Sequence, residues 1–241
     1  MTQRFFIDSA ALVNFPQFEW REAEMIRQLG IVLRYAPGDM IEVLPNDGRV
    51  FQVKLTEFKK NVIRGELLAE IASRPFVPQA FAVVLPKSKD KWEFLLQKLT
   101  ELGVNQIYPL QSEFGVGKYP ADSERIQRIL KEAAEQSEQF YLPTLFPLKS
   151  LSSFLAQTSN LIFGDLRGEA EDLWTFLNRV KREDLNKLIP LIGPEGGFSA
   201  AEIARFDEMK IKGIGLSKSV LRLETAAILW AGLLKIRQDF I

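Results

Sequence analysis

Two short stretches of the chain carry residue types that can do chemistry. In Ile192-Gly193-Pro194-Glu195-Gly196-Gly197-Phe198-Ser199, three glycines and a proline occupy five consecutive positions. That composition makes a rigid turn whose main-chain groups can approach a ligand closely. In Leu216-Ser217-Lys218-Ser219-Val220-Leu221-Arg222-Leu223-Glu224-Thr225, a guanidinium, a carboxylate and a hydroxyl fall close together. A glycine loop before a helix usually holds phosphate through free amides and the helix dipole. Here Glu195 sits inside the loop, and a carboxylate beside an anion costs Coulomb energy, so a cationic or zwitterionic ligand held by backbone groups fits better. Neither the P-loop nor the dinucleotide fingerprint occurs. Gly115-Val116-Gly117-Lys118 and Gly213-Ile214-Gly215-Leu216 both lack the third glycine. Taken alone, the Gly-Pro-x-Gly-Gly loop is as well explained by a structural turn as by a ligand.

What is missing narrows the chemistry further. The chain has no His and no Cys, which excludes a Ser-His-Asp triad, a Cys nucleophile, and imidazole or thiolate metal sites. Acid–base work falls to Glu, Asp, Lys, Tyr or water, and a cofactor that carries its own reactive group suits such an inventory. The absence of cysteine, of a signal-peptide apolar stretch and of any run of about 18 apolar residues points to a cytoplasmic protein. Lys+Arg and Asp+Glu both number 31, and residues 1–75 hold ten of each sign. A nucleic-acid partner would therefore be met by a local patch rather than by a basic module.

The elements that must position these stretches read in two styles. Residues 4–7, 40–44, 50–55 and 62–67 alternate as strands between short turns, with a helix over 20–29, and suggest a small barrel. Arg34 follows Val32-Leu33 and reads as a phosphate contact or a solvated end. Arg74-Pro75-Phe76-Val77-Pro78 breaks the pattern, placing a boundary between domains 1–73 and 74–241. Beyond it strands and helices alternate: strands at 81–85, 107–110, 161–163, 188–192 and 213–216, and helices at 90–102, 123–136, 171–180, 200–209 and from about 224 to 236. Ser199 and Glu202 have capping-box spacing at the start of the fourth of these helices. The alternation predicts a largely parallel sheet with helices on both faces. Three strand ends, Phe163-Gly164-Asp165-Leu166, the 193–197 loop and the 216–225 segment, then emerge at one edge, where open α/β sheets bind ligands.

These residues also resemble a known family. Gly193-Pro194-Glu195-Gly196-Gly197-Phe198-Ser199 with Glu202-Ile203, and Val220-Leu221-Arg222-Leu223-Glu224-Thr225-Ala226, resemble the signature of the RsmE family. Its members methylate N3 of a uridine in 16S ribosomal RNA. Lys98-Leu99-Thr100-Glu101-Leu102-Gly103-Val104, Glu132-Ala133-Ala134-Glu135-Gln136-Ser137, and Val32-Leu33-Arg34 with Gly38-Asp39 are similar to three further family blocks. The agreement runs in order along nearly the whole chain.

The resemblance implies a SPOUT α/β domain with a deep trefoil knot, a small PUA-like β-barrel in front of it with an RNA-binding role, S-adenosyl-L-methionine as cofactor, no metal, and a homodimer acting on ribosomal RNA. The cofactor is expected on Phe163, Gly164, Leu191, Ile192, Gly193, Pro194, Glu195, Gly196, Gly197, Leu216, Ser217, Val220, Leu221 and Thr225. Arg222 is the expected electrostatic catalyst, Glu224 orients it, caps the helix or takes a proton, and Arg4 and Arg34 are candidate RNA contacts. Leu229, Trp230, Leu233 and Leu234 offer a helix face to a partner subunit or to the core. Some positions depart from the family pattern: Phe114 stands where Arg is usual, Gln139 where Arg often follows the Glu-Gln-Ser block, and Ser217 and Ser219 where Gly and Arg are usual. No His precedes Val220. Most of these changes remove positive charge or donors available to meet RNA, and they leave the cofactor loops mostly intact. Another rRNA or tRNA position, or an RNA-binding assembly factor without turnover, are the competing readings.

Overall fold

The computed structural model describes residues 3–12, 16–165, 167–168 and 170–240; Leu166, counted above with the first loop, lies outside them. The chain divides into two compact units, residues 1–76 with 134–142, and residues 77–133 with 143–241.

The first unit is a five-stranded sheet in the order β1-β3-β4-β5-β2, built from β1 (Arg4–Phe6), β2 (Gln17–Trp20), β3 (Met40–Leu44), β4 (Arg49–Lys59) and β5 (Val62–Ser73). β1 and β3 pair in parallel and the remaining pairs are antiparallel. The expected helix over 20–29 is shorter and starts later. Trp20 closes β2, paired with Ile63, and the helix α1 spans Ala23–Arg27 before a π-helical turn, Gln28–Val32. Phe18 and Trp20 are buried on alternate positions of β2, so the strand period prevails over the helical one there. Residues 134–142 complete this unit. Glu135 accepts a hydrogen bond from Phe6 N at 2.9 Å, and the Tyr141 hydroxyl donates to Arg74 O at 2.8 Å.

The second unit is an all-parallel sheet flanked by helices. Its strands are β6 (Ala80–Val84), β7 (Gln106–Gln111), β8 (Thr144–Leu145), β9 (Lys149–Ser150), β10 (Leu161–Gly164), β11 (Glu171–Asp172), β12 (Ile189–Ile192) and β13 (Lys212–Gly215). The order is β11-β13-β10-β12-β6-β7-β8, with β9 also beside β7. The helices are α2 (Lys89–Glu101), α3 (Glu124–Gln136, its last turn in the first unit), α4 (Leu151–Leu155), α5 (Leu173–Arg179), α6 (Arg182–Leu185), α7 (Ala200–Glu208) and α8 (Leu223–Phe240). All five residues of β6 are buried, as expected of a strand covered on both faces. Phe81 and Val83 face a core shared with Trp92, Leu96 and Trp230 of α2 and α8, while Ala82 and Val84 face Phe154, Phe163 and Phe206. The largely parallel, two-faced α/β architecture read from the strand–helix alternation is therefore the observed one. The helix expected over 171–180 begins at Leu173, because Asp172 caps it by accepting from Thr175 N at 2.9 Å.

Candidate active site

Parallel pairing fixes where the chemistry-bearing loops emerge. β13, β10 and β12 are neighbours, with Phe163 in register with both Gly213 and Leu191. The loops after all three leave the same sheet edge, and together they enclose a cavity of about 220 Å³. One wall comes from Phe163, Gly164 and Asp165, a second from Ile192, Gly193, Pro194, Gly197 and Phe198, and a third from Leu216, Ser217, Ser219, Leu221, Leu223 and Ala226.

The glycine loop is a tight turn closed by Gly197 N donating to Pro194 O at 2.9 Å. Gly197 takes φ +74°, a backbone state that costs a side-chain-bearing residue about 1 kcal/mol. A Cβ on Gly193 would come within 2.9 Å of the Phe198 ring, so glycine there lets that ring fold back onto the loop. Phe198 in turn packs edge-on against Phe206 and Phe163, with centroids at 4.9 and 6.1 Å. The capping box forms as the spacing predicts. Glu202 N donates to Ser199 Oγ at 3.2 Å, and Ser199 N donates to Glu202 Oε2 at 2.9 Å. The other oxygen, Oε1, accepts from Glu113 N at 2.9 Å, which places the 112–116 loop beside the turn, with Phe114 3.5 Å from a Cβ on Gly196.

Charge is distributed differently from the sequence-based picture. The Glu195 carboxylate is engaged from the α2 side, by Lys91 Nζ at 3.3 Å and Lys87 N at 3.5 Å, and Glu195 does not line the cavity. Burial pushes its pKa up, but its own backbone amide, Lys91 and the Lys87 N–H outweigh that and hold it below the usual carboxylate value. The carboxylate that does line the cavity is Asp165, whose side chain is 5% exposed and takes Arg167 Nη2 at 2.8 Å. Gly213 makes the room, since a Cβ there would overlap that carboxylate. Arg167 reaches Asp207 as well, at 3.2 Å, and its hydrogen bonds to Asp165 first and Asp207 second raise its pKa. It is the one cationic residue on the cavity wall among the described residues, and two carboxylates already hold it. The reason for excluding a phosphate thus moves from Glu195 to the Asp165–Arg167 pair.

Of the residues singled out from the sequence, Phe163, Gly164, Ile192, Gly193, Pro194, Gly197, Leu216, Ser217 and Leu221 line the cavity. Leu191 lies buried beneath it in the core shared with Phe163 and Phe206, and Gly196 is exposed beside Phe114, outside the cavity lining. Val220 projects outward, 79% exposed, and Thr225 is exposed on the first turn of α8. Arg222 is exposed and, among the described residues, its guanidinium makes no hydrogen bond or ion pair; its carbonyl accepts Ala226 N at 2.9 Å, so it sits at the start of α8. Glu224 is 15% exposed with Oε1 3.7 Å from Lys91 Nζ and a buried Oε2 that no donor among the described residues reaches. Ile203 and Ala226, quoted above within the two signature stretches but not as cofactor contacts, line the cavity, as does Arg167, which no motif marked, and Lys91 was legible only as a polar position of a helix.

In the first unit, Arg4 is held by Glu42 at 2.7 Å and Glu138 at 3.6 Å, and only 16% of its side chain is exposed. Arg34 is exposed, with φ +58°. Trp230 and Leu234 belong to the core of the second unit, whereas Leu229, Ile236 and Phe240 are exposed along α8. Among the described residues no group of His, Cys, Asp or Glu could hold a metal ion, and no helix is long and apolar enough to cross a membrane.

The walls fit an adenosyl sulfonium compound: apolar side chains from all three loops, main-chain atoms exposed by Gly164, Gly193 and Gly197, an internally neutralised ion pair, and no unpaired cation on the wall among the described residues. Comparison with known proteins points the same way. A family model for an RNA methyltransferase domain matches residues 74–235. The chain is 27% identical to the ribosomal RNA small subunit methyltransferase E of Bacillus subtilis, with 94% of this chain and 93% of the relative covered. It is 30% identical to the protein of that name from Mesomycoplasma hyopneumoniae, with 72% and 77% covered. Its fold is that of the crystal structure of a ribosomal RNA small subunit methyltransferase E from Neisseria gonorrhoeae bound to S-adenosyl methionine, at 24% identity, with a TM-score of 0.84 and all of both chains covered.

Proposed function

The chain belongs to the ribosomal RNA small subunit methyltransferase E family, and from that premise we propose that it transfers a methyl group from S-adenosylmethionine to N3 of a uridine in 16S ribosomal RNA. The observation that carries the proposal is the convergence of three parallel-strand loops on one apolar cavity, with the exposed Arg222 on the segment that forms its third wall.

Bound in that cavity, S-adenosylmethionine supplies an electrophilic methyl group on a sulfonium centre. The walls after β10, β12 and β13 would hold it, with Phe163, Ile192, Leu216 and Leu221 offering apolar surface and Gly193 and Gly197 offering main-chain groups. The chain's own residues then have two tasks at the acceptor. The uracil imide must give up its N3 proton, and the charge left behind spreads onto the two flanking carbonyl oxygens. Arg222 is free to donate to one of them, and a fixed guanidinium stabilises that developing charge without reorganising. It sits at the N-terminal end of an 18-residue helix, whose first-turn amides add positive potential. Glu224 is turned toward Lys91 and does not line the cavity, which suits it to orient the start of α8.

Residues 1–73 form the RNA-docking domain and 74–241 the methyltransferase domain. Arg34, exposed and without an ion pair among the described residues, is the RNA contact of the first; Arg4 is already engaged by Glu42 and Glu138 and serves there by holding the strand edge. The exposed stripe Leu229, Ile236 and Phe240 on α8 packs against a second copy of the chain, giving a homodimer that works in the cytoplasm.

The test is methylation of a 16S rRNA fragment with labelled S-adenosylmethionine, followed by nuclease digestion and mass mapping. The wild-type protein yields 3-methyluridine at one position, and Arg222→Ala lowers turnover by about 10²–10³-fold, the usual cost of removing one oxyanion-stabilising donor. Methyl transfer to a base carbon or ribose, or near-normal turnover by Arg222→Ala, overturns the assignment.

A further inference from the structure

We infer that Lys91 is a positioning residue that straps the glycine loop to the start of α8 and so sets Arg222 relative to the cofactor cavity. The inference deepens the functional reading above and, for its catalytic readout, rests on it. Lys91 lies in the first turn of α2, outside every sequence block that marks the site. Its ammonium nevertheless stands 3.3 Å from Glu195 Oε1 and 3.7 Å from Glu224 Oε1. Glu195 lies in the loop that forms the second wall, without lining the cavity itself, and Glu224 follows Arg222 and Leu223 in the segment that forms the third.

Without the ammonium, two carboxylates that both lie within 3.7 Å of one point would face each other with no cation between them. Like charges so placed repel, and the relief available is to move the loop away from the helix. The second oxygen of Glu224 adds to the case, because it is buried and no donor among the described residues reaches it; a carboxylate so placed depends on the ammonium near its other oxygen. One side chain that does not line the cavity thus bridges the two loops, in addition to the turn hydrogen bond and capping box that hold the 193–199 stretch. Lys91 is 34% exposed, so its contribution to global stability is small while its effect on the relative placement of two loops is not.

Hydrogen exchange on the full-length protein, free of cofactor and RNA, reads the strap directly. Lys91→Met speeds exchange about tenfold in both the 193–198 and 219–226 segments together, Lys91→Arg leaves them within about twofold of wild type, and the double variant Lys91→Met with Glu195→Gln falls between, as expected when a repulsion rather than a packing defect is relieved. In the methylation assay Lys91→Met lowers kcat about tenfold with saturating S-adenosylmethionine, because the guanidinium is misplaced, while the calorimetric Kd for S-adenosylmethionine stays within about threefold and Lys91→Arg restores kcat. Circular dichroism checks that each variant is folded. Unchanged exchange in both segments with Lys91→Met, or Lys91→Arg as impaired as Lys91→Met, overturns the inference. A wild-type protein that binds no S-adenosylmethionine overturns the functional reading instead, and leaves the exchange result to decide the strap by itself.

Discussion

The 193–197 loop and the 217–225 segment leave the same sheet edge and bound the same cavity, yet they are built in opposite ways. The first is closed on itself by a main-chain hydrogen bond, seated on the Phe163, Phe198 and Phe206 rings and fixed to α7 by the capping box. The second has a hydroxyl pair, Ser217 and Ser219 at 2.9 Å, then Val220 standing 79% exposed and Arg222 with no partner among the described residues. A wall assembled from backbone and buried rings cannot adapt, which suits a ligand that is always the same molecule. An outward segment with a free guanidinium suits an acceptor that must come and go as part of a large RNA. On the proposed function, the cofactor half of the site would be prebuilt and the acceptor half left for RNA to complete.

This contrast can be broken by exchanging the two kinds of effect. The largest expected separation is at Arg222. The turnover loss given above for Arg222→Ala should come with a Kd for S-adenosylmethionine within about threefold of wild type, since the residue does not line the cavity; a Kd that rises in parallel with the loss would place Arg222 on the cofactor instead. Next comes Gly193→Ala. Its methyl group meets the Phe198 ring at 2.9 Å, and overpacking of this kind costs about 1–3 kcal/mol. Calorimetry should show the Kd raised about tenfold or more, with kcat near wild type once S-adenosylmethionine is saturating. The smallest is Ser199→Ala, which removes one cap bond worth about 1 kcal/mol and should lower the thermal midpoint by about 2–4 °C, leaving kcat unaltered. A large kcat defect in Ser199→Ala would mean that the turn is not the rigid wall described.

The sequence carried the α/β alternation because the long helices of the second unit have their own apolar stripes and its central strands their own apolar runs, both local signals, whereas the two-residue strands β8, β9 and β11 and the short helices α4 and α6 are too brief to show such a run and escaped it. It carried the shared edge of the three loops because parallel connection leaves no other arrangement. β2 escaped it: Phe18 and Trp20 are spaced for a strand, but Trp20 also begins a plausible helical stripe, and pairing with β5 decided the matter. The return of residues 134–142 to the first unit escaped it too, since the helix that contains Ala134 runs on without any break in composition. Within the site, motif spacing located most of the residues whose main chain or apolar side chain lines the cavity. It misjudged where Glu195 points and did not mark Lys91 or Arg167, because the partner of a charged side chain is set by tertiary packing across 104 residues of chain in one case and by a two-residue turn plus a distant helix in the other.

The central claim is that the methyl donor lies where the three crossover loops of the second unit meet. A crystal structure of the protein with S-adenosylhomocysteine tests it most directly. The account predicts the ligand between Phe163, the 192–197 turn and the 216–223 segment, with Glu195 still held by Lys91 and Arg222 still turned outward. Density for the ligand at any other place on the chain, or a loop whose Gly193 and Gly197 make no contact with it, would contradict the account.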